Sequence, residues 1–181
     1  PMHPSIFFPY FPNFVSSAED FIESYNHWSG AIVLTSDTSS GSLIKKGPLW
    51  KYKLNNFDSN HLLDGLTQLV RSYYLAGAEE IMVSSSPTMH WKKSKNDDIE
   101  KFLNKILSIK NQPYRLLLGS AHQMGTARIN PNPEHGVVDL NGKVHGLENV
   151  YIVDASTFPR CSGVNPMISI QSMSHFLMSN I

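Results

Sequence analysis

The chain changes character at Arg115, and that change limits the folds open to it. Upstream, apolar residues recur at helical spacing. Asp58 is placed to cap a helix carrying Leu62, Leu66, Leu69 and Tyr73, and Gly77 is its natural stop. Asp97 or Asp98 caps a second helix with Ile99, Phe102, Leu103, Ile106 and Leu107, and Pro113 ends that region. Residues 31–35 and 49–54 read as strands on either side of a turn-rich stretch, 36–41, and residues 81–83 read as another strand. Downstream the pattern shortens. Residues 116–118 and 150–153 are buried-type strands. Residues 137–140 and 143–145 form a hairpin whose tight turn is Asn141-Gly142. Pro166 opens an apolar helix reaching about Met178, with Ile170, Met173 and Leu177 on one face. Strands and helices therefore interleave, and the fold class expected is α/β or α+β.

Composition excludes several functions. Lys and Arg total 15, as do Asp and Glu, so the formal net charge is zero. Lys92, Lys93 and Lys95 are balanced by Asp97, Asp98 and Glu100, which reads as a solvated loop and helix start. No basic stripe marks a nucleic-acid partner. A single cysteine, Cys161, forms no disulfide framework, and a reducing, intracellular setting is expected. The start, Pro1-Met2-His3-Pro4, lacks the pattern of a signal peptide, and no apolar run is long enough to span a bilayer. The end, Met178-Ser179-Asn180-Ile181, is not a peroxisomal tripeptide. Residues 1–27 form an aromatic lead, with Phe7, Phe8, Tyr10, Phe11 and Phe14 broken by Pro4, Pro9 and Pro12, which forbid a regular helix. Residues 28–181 are expected to form the main domain.

The chemistry is concentrated in the last third, in three pieces. The first is Gly119-Ser120-Ala121-His122-Gln123-Met124-Gly125-Thr126. The second is Val150-Tyr151-Ile152-Val153-Asp154-Ala155-Ser156, and the third is Gly163-Val164-Asn165-Pro166-Met167-Ile168. Histidine as a residue type titrates near neutrality and suits removal of a hydroxyl proton; His122 lies in a small-residue loop that a ligand could approach. Asn165 can orient an oxygen without adding charge, and it is equally a standard helix cap ahead of Pro166. Asp154 and Ala155 lie at a strand exit, where ligands gather in α/β folds, although they are also ordinary there. A lone histidine is more often structural than catalytic; the other seven have no comparable setting. His135 and His145 read as hairpin residues, because no further ligands stand at zinc-like spacing, so no metal is expected. Met124, Met167 and Met173 read as packing residues.

In order and spacing the three pieces resemble the C-terminal region of the glucose–methanol–choline oxidoreductases, and the His-Gln-Met-Gly-Thr version looks most like their long-chain alcohol oxidases. The resemblance is strong over residues 115–179 and looser over 28–83. It implies FAD as cofactor, His122 as catalytic base and Asn165 as hydrogen-bond partner of the substrate oxygen. It also implies that Asp154, Ala155, Asn165, Pro166 and Met167 contact the cofactor. Many members carry a second histidine where this chain has Asn165. The implied architecture is a substrate-domain sheet with helices, plus a segment after about residue 120 that returns to the FAD domain. No Gly-x-Gly-x-x-Gly segment occurs among the 11 glycines, so the N-terminal FAD-binding domain is expected to lie outside this chain. The substrate expected is a primary alcohol, with Gln123, Met124 and the aromatic lead favouring a long chain. Some resembling oxidases are membrane-associated or peroxisomal, which leaves either location open. Two alternatives stay open: a dehydrogenase of the same family using another alcohol or acceptor, and a truncated, non-catalytic fragment.

Overall fold

A computed structural model describes residues 22–44, 50–110, 112 and 114–181. The aromatic lead therefore lies outside the described residues, as do Pro113 and Leu49. The chain divides into two compact units, Pro1–Leu118 and Gly119–Ile181.

Among the described residues, the first unit contains two antiparallel hairpins and two complete α-helices. Strands β1 (Ser42–Leu43) and β2 (Trp50–Lys51) pair with Ser42 opposite Lys51. Helix α1 (Asn56–Leu75) follows, then β3 (Glu80–Val83) and β4 (Met89–Lys92), with Ile81 opposite Trp91. After a turn of 3₁₀ helix, Lys93–Lys95, comes α2 (Ile99–Leu107). All named strand pairs are antiparallel, which places the described residues with α+β. The single sheet implied by the resemblance is not assembled among them. Residues 31–35 are not a paired strand, although exposed and half-buried side chains alternate there as in one.

Helix α1 begins earlier than expected. Asn55 is its N-cap, and its side chain accepts from the Asp58 amide at 2.8 Å. Asp58 sits in the first turn, 1% exposed, and turns its carboxylate onto a neighbouring loop. It accepts from the Thr38 amide (2.9 Å), the Thr38 hydroxyl (3.0 Å), the Ser39 amide (2.8 Å) and the Ser39 hydroxyl. The Ser39 hydroxyl also accepts from the Asn55 amide at 2.9 Å. An ordinary capping box would send the acidic side chain straight to that amide; here Ser39 relays the bond and so fastens residues 38–39 to the helix. Burial pushes the Asp58 carboxyl up, but the hydrogen bonds from Ser39 and Thr38 together outweigh it and leave the group below its usual range.

The helix ends as the sequence foretold. Gly77 adopts φ +88°, and the amides of Gly77 and Ala78 return to the Tyr74 and Tyr73 carbonyls, each at 3.0 Å. That is a Schellman ending. The buried face of α1, however, is Leu63, Thr67 and Val70, with Leu66 and Tyr73 beside it, rotated one residue from the stripe led by Leu62 and Leu69. Asp98 caps α2 by accepting from Glu100 (2.9 Å) and Lys101 (3.3 Å). Phe102, Leu103 and Ile106 then join Leu63, Val70, Ile81, Val83, Met89 and Trp91 in one core. Fully burying each such side chain stabilises by about 1.5–3 kcal/mol.

The second unit has little regular structure. Its one named α-helix is α3 (Met167–Met178), preceded by a 3₁₀ turn, Ala155–Thr157. The expected strand 116–118, at the end of the first unit, reduces to a bridge from Leu116 to Ser85, with Leu117 and Leu118 exposed. The expected strand 150–153 reduces to a bridge between Tyr151 and Lys143, with Val150 and Tyr151 exposed. The hairpin exists as a bridge between Val138 and Val144 and a bond from the Asp139 amide to the Lys143 carbonyl (2.8 Å). Its turn differs from the Asn-Gly type expected. The Gly142 amide closes onto the Asp139 carbonyl (3.0 Å), so Leu140 and Asn141 are the central residues and Gly142, at φ +81°, follows them. This is the longer hairpin connection that ends in a left-handed glycine.

Candidate functional site

His122 lies in the loop 119–126, which has no regular structure, and it is exposed. The Gln123 side-chain amide donates to the Ser120 carbonyl at 2.6 Å. Downstream the loop is pinned. Gly125 takes φ +84°, and a Cβ there would stand 3.3 Å from the Phe158 carbonyl oxygen. The amides of Ala127 and Ile129 then donate to the Ser156 and Thr157 carbonyls, each at 2.9 Å. The His122 loop is thus anchored to the segment that follows Asp154.

Asp154 caps the 3₁₀ turn. One carboxylate oxygen accepts from the Ser156 amide (2.8 Å) and the Ser156 hydroxyl (2.5 Å). Thr157, buried, donates its hydroxyl to the Asp154 carbonyl at 2.8 Å, and Ala155 is half-buried. The preceding carbonyl, of Val153, accepts from the Ser174 hydroxyl on α3. Leu177, also on α3, packs where a Cβ on Gly142 would meet it at 3.5 Å. These links explain why the helix face seen from sequence, Ile170, Met173 and Leu177, is its less exposed side.

Helix α3 starts one residue later than an asparagine cap requires. Pro166 occupies the N-cap position, is buried, and makes no side-chain cap; Asn165 precedes it and is exposed. The helical bonding begins with the Ile170 amide on the Pro166 carbonyl at 2.8 Å. The amides of Met167, Ile168 and Ser169 have no acceptor recorded among the described residues, and Met167 and Ile168 are exposed. An uncapped helix start of this kind presents donors and a positive dipole end to an incoming group.

His122, Asp154, Ala155, Asn165, Pro166 and Met167 therefore all belong to the unit Gly119–Ile181. Hydrogen bonds tie the His122 loop to the Asp154 segment, and that segment to α3. No contact between the His122 ring and the Asn165 amide is recorded. Two surface hollows are described, one along residues 53–57 and one formed by Asp139 and residues 143–148; neither is lined by these six residues. His145 donates from Nε2 to the Asn130 carbonyl (2.9 Å). Among the described residues no three His, Cys, Asp or Glu side chains gather to hold a metal ion, and no helix is long and apolar enough to cross a membrane. Sequence reasoning missed Ser174, whose hydroxyl joins α3 to the Asp154 segment, and Thr157, whose hydroxyl closes the local turn on Asp154; Ser174 has no local pattern that announces a distant carbonyl partner.

Residues 29–174 match the family model for GMC oxidoreductases. Long-chain-alcohol oxidase FAO4A of Arabidopsis thaliana is 30% identical over 99% of this chain, which covers 25% of that protein. Long-chain-alcohol oxidase FAO3 of the same plant is 30% identical over 87% of the chain, covering 22% of that protein. A shorter match, 48% identical over 30% of the chain and 10% of the relative, is to 6'''-hydroxyparomomycin C oxidase of Streptomyces lividus. The chain spans about a quarter of the length of the long-chain-alcohol oxidases it matches. With the three motif pieces fastened together in one unit and most of the chain inside the family match, this chain belongs to the GMC oxidoreductases.

Proposed function

We propose that the chain forms part of a longer FAD-dependent enzyme that oxidises a primary, long-chain alcohol to its aldehyde. The observation that carries this reading is the match to the long-chain-alcohol oxidases over nearly the whole chain. His122 takes the proton from the substrate hydroxyl, and Asn165 holds the same oxygen by a hydrogen bond from its amide. Asp154, Ala155, Asn165, Pro166 and Met167 hold the flavin side of the site. The residues fit such a group: the open α3 start offers unpaired amides to an electron-rich ring edge. When bound, FAD supplies the hydride acceptor. The exposed apolar residues Val164, Met167, Ile168 and Phe176 suit a greasy substrate or a covering surface.

In the full-length protein, His122→Ala is expected to slow flavin reduction by about a hundredfold or more while flavin content stays near normal. Near-normal reduction by alcohol would remove His122 from the chemistry. Across a series of alcohols, kcat/KM is expected to rise roughly fourfold for each added methylene until the pocket is full, following about 0.8 kcal/mol per buried methylene. A second reading, a hydroxyl on a paromomycin-like compound, is favoured by the higher local identity to the Streptomyces lividus oxidase. Preference for that compound over every linear alcohol would select it.

A further inference from the structure

We propose that Gln123 is the positioning residue for His122, an inference that rests on the reading of His122 as base. Within residues 119–126, the bond from the Gln123 amide to the Ser120 carbonyl is the one hydrogen bond recorded among the described residues. It is short, 2.6 Å, and it spans His122. Every other anchor of the loop lies at or beyond Gly125: the left-handed glycine against Phe158, then the Ala127 and Ile129 amides on Ser156 and Thr157. Upstream, Gly119 has open space around its Cα, with nothing within 4 Å of where a Cβ would stand. The last bond before the loop is that of the Leu117 amide to the Ser84 carbonyl (3.1 Å), so between Leu117 and Gly125 the Gln123 side chain makes the one recorded bond that constrains the backbone carrying the base.

A base acts only from within hydrogen-bond reach of the proton it removes, and a displacement of about 1 Å can cost up to roughly a hundredfold in rate. Gln123 supplies the constraint without entering the chemistry. Its amide closes a ring of backbone around His122, and that ring restricts where the imidazole can stand. An amide at 123 suits this better than a carboxylate, which at neutral pH has no hydrogen to donate to a carbonyl.

The test uses the full-length flavoenzyme with a long-chain alcohol, comparing Gln123→Met and Gln123→Glu, both close in size to glutamine and neither a donor at neutral pH. Both are expected to lower the flavin-reduction rate by about tenfold, with KM for the alcohol, flavin content and Tm unchanged. A merely structural loop would give the opposite pattern, with lost flavin or lowered Tm and an unchanged reduction rate in the flavin-loaded fraction; that outcome overturns the proposal. Reduction within twofold of the parent in both variants, with His122→Ala inactive, also overturns it. An active His122→Ala sinks the assignment of the base itself, and the role of Gln123 with it.

Discussion

The unit Pro1–Leu118 buries ten apolar side chains among its described residues, whereas Gly119–Ile181 buries Ala127, Val138 and Leu177 together with Pro166. The second unit is held instead by backbone groups. Its amides at Ala127, Ile129, Asn130, Val144 and Ile152 bond to carbonyls of other loop stretches, and glycines at 125, 136 and 142 stand where a Cβ would press on backbone oxygen. Two ways of specifying structure thus share one chain. A packed core fixes helices and hairpins by volume, while a laced loop unit fixes its chain path by conformations that few residues adopt. The motif residues stand in the second, where the backbone can be aimed and left exposed.

This contrast can be broken most easily in the core of the first unit. Ile106, fully buried, is expected to cost about 2–5 kcal/mol when truncated to alanine, read from the denaturant midpoint and from amide exchange across α1, α2 and β3. A loss below about 1 kcal/mol would show that volume does not govern this unit. The next largest effect belongs to the second unit. At Gly136 a Cβ would lie 2.5 Å from the Asn130 Cβ, 2.6 Å from the Arg128 carbonyl oxygen and 2.8 Å from the Asn130 amide nitrogen. Gly136→Ala therefore adds one methyl group and is expected to destabilise by about 1–3 kcal/mol or more, with amide protection lost first at Asn130 and Val138. Unchanged protection there would end the claim that backbone proximity holds this unit.

Much of the first unit was legible because helices advertise themselves. Asp98 as a cap, Gly77 as a stop and the spacing through Ile106 are local signals, and each appears in the structure. The start of α1 was misread because both Asn55 and Asp58 are good caps, and only the tertiary fold sends Asp58 to Thr38 and Ser39. The strands at 31–35, 116–118 and 150–153 were misread because apolar runs signal burial or extension, whereas a strand also needs a partner of matching register. Around the motifs, the turn near Gly142 and the start of α3 had sequence signals, though the structure shifts each by one residue. The link through Ser174 did not, since a hydroxyl reaching a carbonyl far along the chain leaves no periodic trace.

Acid offers a finer probe of the Asp58 relay. Its folded pKa lies below the aspartate value of an unfolded chain, so the ionised carboxylate stabilises the fold above that unfolded value, and the stabilisation is lost as pH falls through the lowered folded pKa. Amide protection at Thr38 and Ser39 is expected to hold down to the ordinary aspartate range and to fall below it. In Asp58→Ala, where roughly 1–3 kcal/mol goes with the lost acceptors, protection should be low at every pH. A flat acid profile in the parent protein would mean the relay is held by the loop rather than by charge. The smallest expected difference compares two glycines that both have open space. Gly77→Ala meets no atom within 4 Å yet must keep φ +88°, and is expected to cost about 1–2 kcal/mol. Gly119→Ala, equally open and without a positive φ, is expected to fall within about 0.5 kcal/mol of the parent by the same denaturant titration.

Val33, in the extended segment at 31–35, packs against Gly65 of α1, and this constrains how the chain can drift over evolutionary time. A Cβ at position 65 would fall 2.6 Å from the Val33 Cγ1, on a β-branched side chain with little freedom to turn away. The two positions therefore share one small volume, and neither can grow alone. Alanine at 65, otherwise the better helix former, becomes acceptable once residue 33 gives up its branch. Substitution histories at these sites are coupled: the order in which changes arise decides whether each is neutral or harmful, and the extended segment and the helix can exchange bulk only as a pair.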